Sequence, residues 1–218
     1  MQTSNLVHTR LGALVLGLSA LLFFASPLFT PYDPSYGPVA LLEQTGGLFI
    51  IAMTLFPLGM LAVYAQLAHQ HGRGWAGVAL ICQLVALGPL QAFAGLDTFA
   101  MSTLRRLYFQ EGNQEFMRVQ GEIMLRAGGP SFSGIYSLLL LGMALLDVGM
   151  IILAVVIWRS GILSKWAGVL YALGFVLFVV AVFTPAGHIV RVIDAALGGV
   201  GGMWLAWSLW QHKPASAG

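Results

Sequence analysis

The sequence predicts an all-α polytopic membrane protein, a bundle of six transmembrane helices with an amphipathic helical connection between spans three and four. Three observations carry this expectation. Only 8% of the 218 residues are charged and 58% are hydrophobic, against roughly 25% charged residues in an average soluble domain. Six apolar runs approach or exceed the about 20 helical residues needed to cross about 30 Å of hydrocarbon. The runs are continuous rather than alternating, and in lipid only helices and closed barrels satisfy every backbone group. So few charges could not cover a water-facing surface. The length fits a single transmembrane domain over 1–218 and leaves no room for a large soluble one.

The first span is read at 11–29, directly after Arg10. It is longer than a signal-peptide core, and Ala25-Ser26-Pro27 is a poor cleavage site, so an uncleaved first helix is expected. Spans two and three follow at 45–67 and 75–94. The connection at 102–130 contains a patterned stretch in which Phe116, Val119 and Ile123 share one helical face, with Met117 and Met124 beside it. Glu115/Arg118, Arg118/Glu122 and Glu122/Arg126 there have ion-pair spacings. The stretch reads either as an amphipathic helix at the outer interface or as a solvated hairpin capping the bundle. Spans four, five and six are read at 132–158, 166–183 and 189–210.

Short-loop cations set the orientation. Arg10, Arg73, Arg159, Lys165 and Lys213 fall on one side if six spans alternate, which places both termini in the cytoplasm. The 102–130 connection is the exception, an outer segment carrying Arg105, Arg106, Arg118 and Arg126 among Glu111, Glu115 and Glu122. Trp75, Trp158, Trp166, Trp207 and Trp210 fall at the inner ends, the headgroup level that tryptophan favours. Gly198 and Gly202 form a GxxxG pair in the last span, expected to serve a contact within the chain in preference to a dimer seam.

A short internal similarity is also present. Gly59-Met60 and Gly149-Met150 are followed by Trp75-Ala76-Gly77-Val78 and Trp166-Ala167-Gly168-Val169. Spans two–three and four–five read either as two copies of one hairpin in parallel orientation or as chance likeness of apolar helices. An offset of 91 residues makes Asp97 and His188 equivalent.

Ionisable residues at membrane depth are candidates by default. Asp147 is the deepest, 11 residues before Trp158 and so about 16 Å along the helix. Gln83 lies near that depth on span three. Asp147 reads either as a structural group hydrogen-bonded between spans four and three or as a proton or cation site. A second cluster gathers at the outer ends: Glu43, Gln91, Asp97, Arg105, His188, Arg191 and Asp194. Arg191 and Asp194 have i,i+3 spacing and pair with each other in one reading. In another, Asp97 takes Arg191 or His188. The cluster is then either a set of ion pairs closing the mouth or a polar pocket where His188 and a carboxylate act as acid and base or hold a headgroup.

Other chemistries find no footing. Cys82 stands alone and reads as a small packing residue. His69 and His71 sit two apart, which places them on different helical faces, so no metal site is expected. No HExxH, P-loop or GxSxG occurs. No histidine pair shares a depth inside the bundle, so no haem or other cofactor is expected. The net charge of +2 and scattered cations give no footprint for nucleic acid.

The stretch Arg159-Ser160-Gly161-Ile162-Leu163-Ser164-Lys165-Trp166-Ala167-Gly168, with Leu96-Asp97-Thr98-Phe99 at the end of the third span, resembles a family of small bacterial integral membrane proteins classed as a domain of unknown function. The resemblance covers about 11–210 and implies six spans in a bacterial cytoplasmic membrane. It implies no activity and no catalytic residue. The leading expectation is a non-enzymatic membrane protein that binds a lipid or small amphiphile at an outer polar pocket, or serves as an accessory subunit. The alternatives are a proton-coupled transporter using Asp147 and an intramembrane lipid-modifying enzyme using His188 and Asp97.

Overall fold

A computed structural model describes residues 2–29, 40–68, 73–95, 135–183 and 187–212. They form six helices and, among the described residues, no strand: α1 Gln2–Phe29, α2 Ala40–Leu67, α3 Arg73–Gly95, α4 Ile135–Ser160, α5 Lys165–Phe183 and α6 Gly187–Gln211. Five of them, all but α5, carry apolar stretches long enough to cross a membrane. α5 is apolar over the shorter stretch Lys165–Ala181. The 102–130 connection lies outside the described residues.

Helix boundaries differ from the hydropathy reading where polar residues extend a helix. α1 begins at Gln2 and α2 at Ala40, ahead of the apolar runs read from 11 and 45. Hydropathy marks the part of a helix that suits hydrocarbon, whereas backbone hydrogen bonding continues through polar turns that reach water. Pro57 and Pro89 sit inside unbroken helices α2 and α3, as neighbouring helices in a membrane bundle permit.

The α4–α5 turn shows how local sequence sets helix ends. Gly161 takes a left-handed φ of 66° just after α4, the conformation glycine adopts at a helix C-terminus without a Cβ penalty. Its N–H and the Ser160 hydroxyl both donate to the Ile157 carbonyl, at 3.3 and 3.0 Å. Ser164 precedes α5 at the N-cap position, where serine is favoured, and its own N–H donates to Ser208 Oγ of α6 at 3.0 Å.

Each helix packs on its neighbours in chain order, and α6 packs on α1, so the six form a closed ring. The most extensively packed neighbours are α5/α6, α3/α4, α1/α2 and α1/α6, whereas α4/α5 and α2/α3 touch less. The close pairs are made by small residues. A Cβ on Gly59 of α2 would stand 2.8 Å from Leu16 Cα of α1. One on Gly149 of α4 would stand 2.9 Å from the Ala79 carbonyl oxygen and Gln83 Cγ of α3. On α6, Gly201 lies against the Tyr171 backbone nitrogen, and Gly174 of α5 lies against Gly198 Cα. Gly198 and Gly202 also receive Phe24 and Ala20 of α1, so the GxxxG pair serves contacts inside the chain.

Gly59 and Gly149, matched in the internal similarity, both admit the helix that precedes them. Ala76 and Ala167 are both buried, and Gly77 and Gly168 meet Tyr64 and Ile157 of the preceding helices. The residues matched in the internal similarity thus hold similar places in the ring.

The centre is aromatic. Phe23 and Phe24 of α1, Phe49 and Phe56 of α2, and Tyr171, Phe175 and Phe178 of α5 form one cluster with ring centroids 4.7–6.3 Å apart. Edge-on and offset geometries of this kind add to the energy of burial. Leu14, Leu21, Ile51, Ile81, Ile151 and Val200 point outward, more exposed apolar surface than a water-soluble monomer carries. One end of the bundle bears exposed Trp75, Trp166 and Trp207 together with Arg10, whose guanidinium carbon lies 5.3 Å from the Trp210 ring.

Gly201→Ala is expected to lower unfolding stability in detergent micelles by about 1–3 kcal/mol, because the added methyl meets backbone that cannot rotate away. Gly199→Ala, where the new methyl would meet Phe24 Cβ at an ordinary 3.5 Å, serves as the control and should leave the thermal midpoint near wild type.

Candidate functional site

The polar residues of the described bundle fall into three places. The first is Arg191 and Asp194 on α6. Arg191 Nη1 donates to Asp194 Oδ1 at 2.9 Å and Oδ2 at 2.6 Å. The side chains are 3% and 0% exposed. The guanidinium also lies 4.4 Å from the Phe178 ring and 5.9 Å from the Phe23 ring. Two ions removed from solvent each carry a desolvation cost of several kcal/mol, offset here by the ion pair and hydrogen bonds and by the aromatic faces. The i,i+3 pairing read from the sequence is therefore present, and it is sealed among α1, α5 and α6.

Of the other members of the outer cluster, only Gln91 has a described side chain. Gln91 lies on α3 and donates to Thr54 Oγ1 of α2 at 3.5 Å, while Thr54 itself donates to the Ile50 carbonyl. Asp97 and Arg105 lie outside the described residues. Glu43 and His188 belong to α2 and α6 by backbone, with side chains outside the description. Asp33 and the connection bearing Arg106, Arg118 and Arg126 lie outside it too.

The second place is the α3/α4 seam. Gln83 is buried and its amide donates to Met150 Sδ at 3.3 Å. Span three does reach span four through Gln83, but the acceptor is a thioether and not Asp147. Asp147 is half-buried and has no hydrogen-bond or ion-pair partner among the described residues. Cys82 packs on the same seam, where a Cβ on Gly149 would stand 3.1 Å from its Cβ.

The third place was not singled out in the sequence. A groove of about 340 Å³ runs between α4 and α5, lined by Ile151, Ala154, Val155, Trp158, Val169 and Leu173, with Arg159 at one end. Its walls are almost wholly apolar. It exists because α4 and α5 are among the less tightly packed neighbours of the ring. Asp147 stands one helical turn beyond Ile151 on the same side of α4. At the other end Trp158 meets Trp166 edge-on at 5.4 Å, and the Lys165 ammonium lies 5.7 Å from the Trp158 ring.

Among the described residues no group of three or more His, Cys, Asp or Glu could hold a metal ion. Remaining polar contacts are structural ties between helices: Ser19 Oγ to the Ala52 carbonyl at 2.9 Å and Gln66 Nε2 to Thr9 Oγ1 at 3.0 Å. The Tyr171 hydroxyl is buried in the aromatic cluster and finds no hydrogen-bond partner among the described residues.

No family model, curated protein or solved structure matches the chain.

Removing one member of the α6 pair should be far worse than removing both. Arg191→Met or Asp194→Asn alone is expected to destabilise by about 3–5 kcal/mol, and the double substitution Arg191→Met with Asp194→Leu to recover most of that loss. Thermal unfolding in micelles measures each. Tyr171→Phe is expected to leave stability unchanged or raise it, since it removes a buried donor without a partner; a loss above about 1 kcal/mol would reveal one.

Proposed function

We propose that this chain is a six-span integral membrane protein without catalytic activity, which binds a membrane lipid or small amphiphile in the groove between α4 and α5. The observation that carries this reading is the pairing of an apolar channel with an exposed cation at one end, Arg159. Apolar walls suit an acyl or isoprenoid chain, and a guanidinium suits a polar head. The expected site thereby moves from the outer mouth, whose described charges are closed on each other, to the groove.

The six-span reading is supported by α5, whose 19 residues give a length of about 28 Å, close to the hydrocarbon thickness. Alternation of six spans sets Arg10, Arg73, Arg159, Lys165 and Lys213 on one side, in keeping with cytoplasmic termini. The family resemblance at 159–168 favours a bacterial cytoplasmic membrane.

A second reading, proton-coupled transport, is favoured by Asp147, an intramembrane carboxyl with no partner among the described residues. Residues of that kind mark proton relays in transporters. Against it stand the unbroken helices and the absence of a second described ionisable residue beside it.

Protein washed extensively in detergent is expected to retain bound lipid in native mass spectra. Leu173→Trp, which fills the groove from its exposed rim, should reduce that retention several-fold without lowering the thermal midpoint. Proteoliposome proton flux that depends on Asp147 and disappears in Asp147→Asn would instead favour transport.

A further inference from the structure

We propose that the α4/α5 groove selects an anionic phospholipid of the leaflet that faces the Arg159 end, with one acyl chain between the helices and the phosphate held by Arg159 and Lys165. This rests on the lipid-binding reading and adds the headgroup class. Three observations lead to it.

The first is the placement of charge. Arg159 lines the end of the groove and is exposed. Lys165 begins α5 four residues past Gly161, across the same turn. Neither forms an ion pair among the described residues. The second is the composition of the segments that six alternating spans would set at this end. The segments 1–10, 68–74, 159–165 and 211–218 contain Arg10, Arg73, Arg159, Lys165 and Lys213 and not one Asp or Glu. All eight acidic residues of the chain lie elsewhere. Among the described residues none of these cations is paired with a carboxylate, and the fitting counter-charge is the phosphodiester of an anionic lipid. A zwitterionic head brings its own cation and fits less well.

The third is the aromatic frame. Lys165 is held over the Trp158 face, and Trp166 stands edge-on to the same ring. Trp158 also lines the groove. One indole therefore touches the acyl path on one side and orients a cation on the other. Indoles at headgroup depth hold such a junction in place. The apolar walls from Trp158 back to Ile151 span eight residues of α4, a rise of about 10 Å, the reach of the upper half of an acyl chain.

The test uses the full chain in detergent, offered equimolar dioleoyl phosphatidylglycerol and dioleoyl phosphatidylcholine, with bound lipid counted by native mass spectrometry. Wild type is expected to hold phosphatidylglycerol over phosphatidylcholine by about thirtyfold, the scale set by two cations at an anionic surface. The double variant Arg159→Gln with Lys165→Gln should bind the two lipids about equally while keeping its thermal midpoint. Arg73→Gln, an exposed cation at the start of α3 and away from the groove, should keep the preference.

Equal retention of both lipids by wild type, or a preference that survives the double variant, overturns the headgroup assignment. So does a preference lost equally in Arg73→Gln, which would make it a property of total charge. In these cases the lipid-binding reading still stands if Leu173→Trp removes retention. If wild type retains no lipid, or Leu173→Trp changes nothing, both fall.

Discussion

In hydrocarbon the lipid tails are as apolar as leucine, so no hydrophobic force draws one helix to another, and a bundle must hold together by close van der Waals contact and a few polar ties. That constraint explains where the glycines of this chain stand. Gly59, Gly149, Gly198 and Gly201 each occupy a seam where a side chain would meet backbone or a ring. The seams they open join α1 to α2, α3 to α4, α5 to α6 and α6 to α1, and those are the close contacts of the ring. Where such residues are fewer, between α4 and α5, the helices stand apart and the groove appears. Packing and the candidate site are two outcomes of one distribution of small residues.

Polar groups follow the same economy of space. Arg191 and Asp194 close on each other with aromatic rings beside them, so the most strongly charged point of the interior needs no water. Gln83 spends its amide on a methionine sulfur, a soft acceptor that fits the α3/α4 seam where Gly149 brings the helices together. Asp147 stands outside these arrangements, half-buried and unpaired among the described residues. The groove's far end lies one helical turn from it.

The helical bundle was legible because continuous apolar runs have few other meanings, and the Arg191–Asp194 pair was legible because i,i+3 spacing fixes a distance. That Gly198 and Gly202 form a close-packing face also followed from their GxxxG spacing. Helix starts at Gln2 and Ala40 were hidden, since polar turns carry no hydropathy signal while remaining helical. The Gln83 partner was hidden because a thioether is not an obvious acceptor. The groove left no mark in the chain at all. Val155, Val169 and Leu173 look like any lipid-facing residues, and only the separation of two helices tells a groove from a ridge. Glu43, Asp97, Arg105 and His188 were grouped by their position at helix ends, and their side chains lie outside the described residues.

Ring closure has a consequence for biogenesis. α1 buries Leu16, Ala20 and Phe24 partly against α2 and partly against α6, and α1 and α6 are the described helices farthest apart in sequence. Until α6 has been made, the flank of α1 that bears Ala20 and Phe24 lacks its partner helix in the ring. Closing the described ring therefore needs a long-range docking step in which Gly198 and Gly202 meet Phe24 and Ala20, and a chain stalled before residue 198 would leave that seam open.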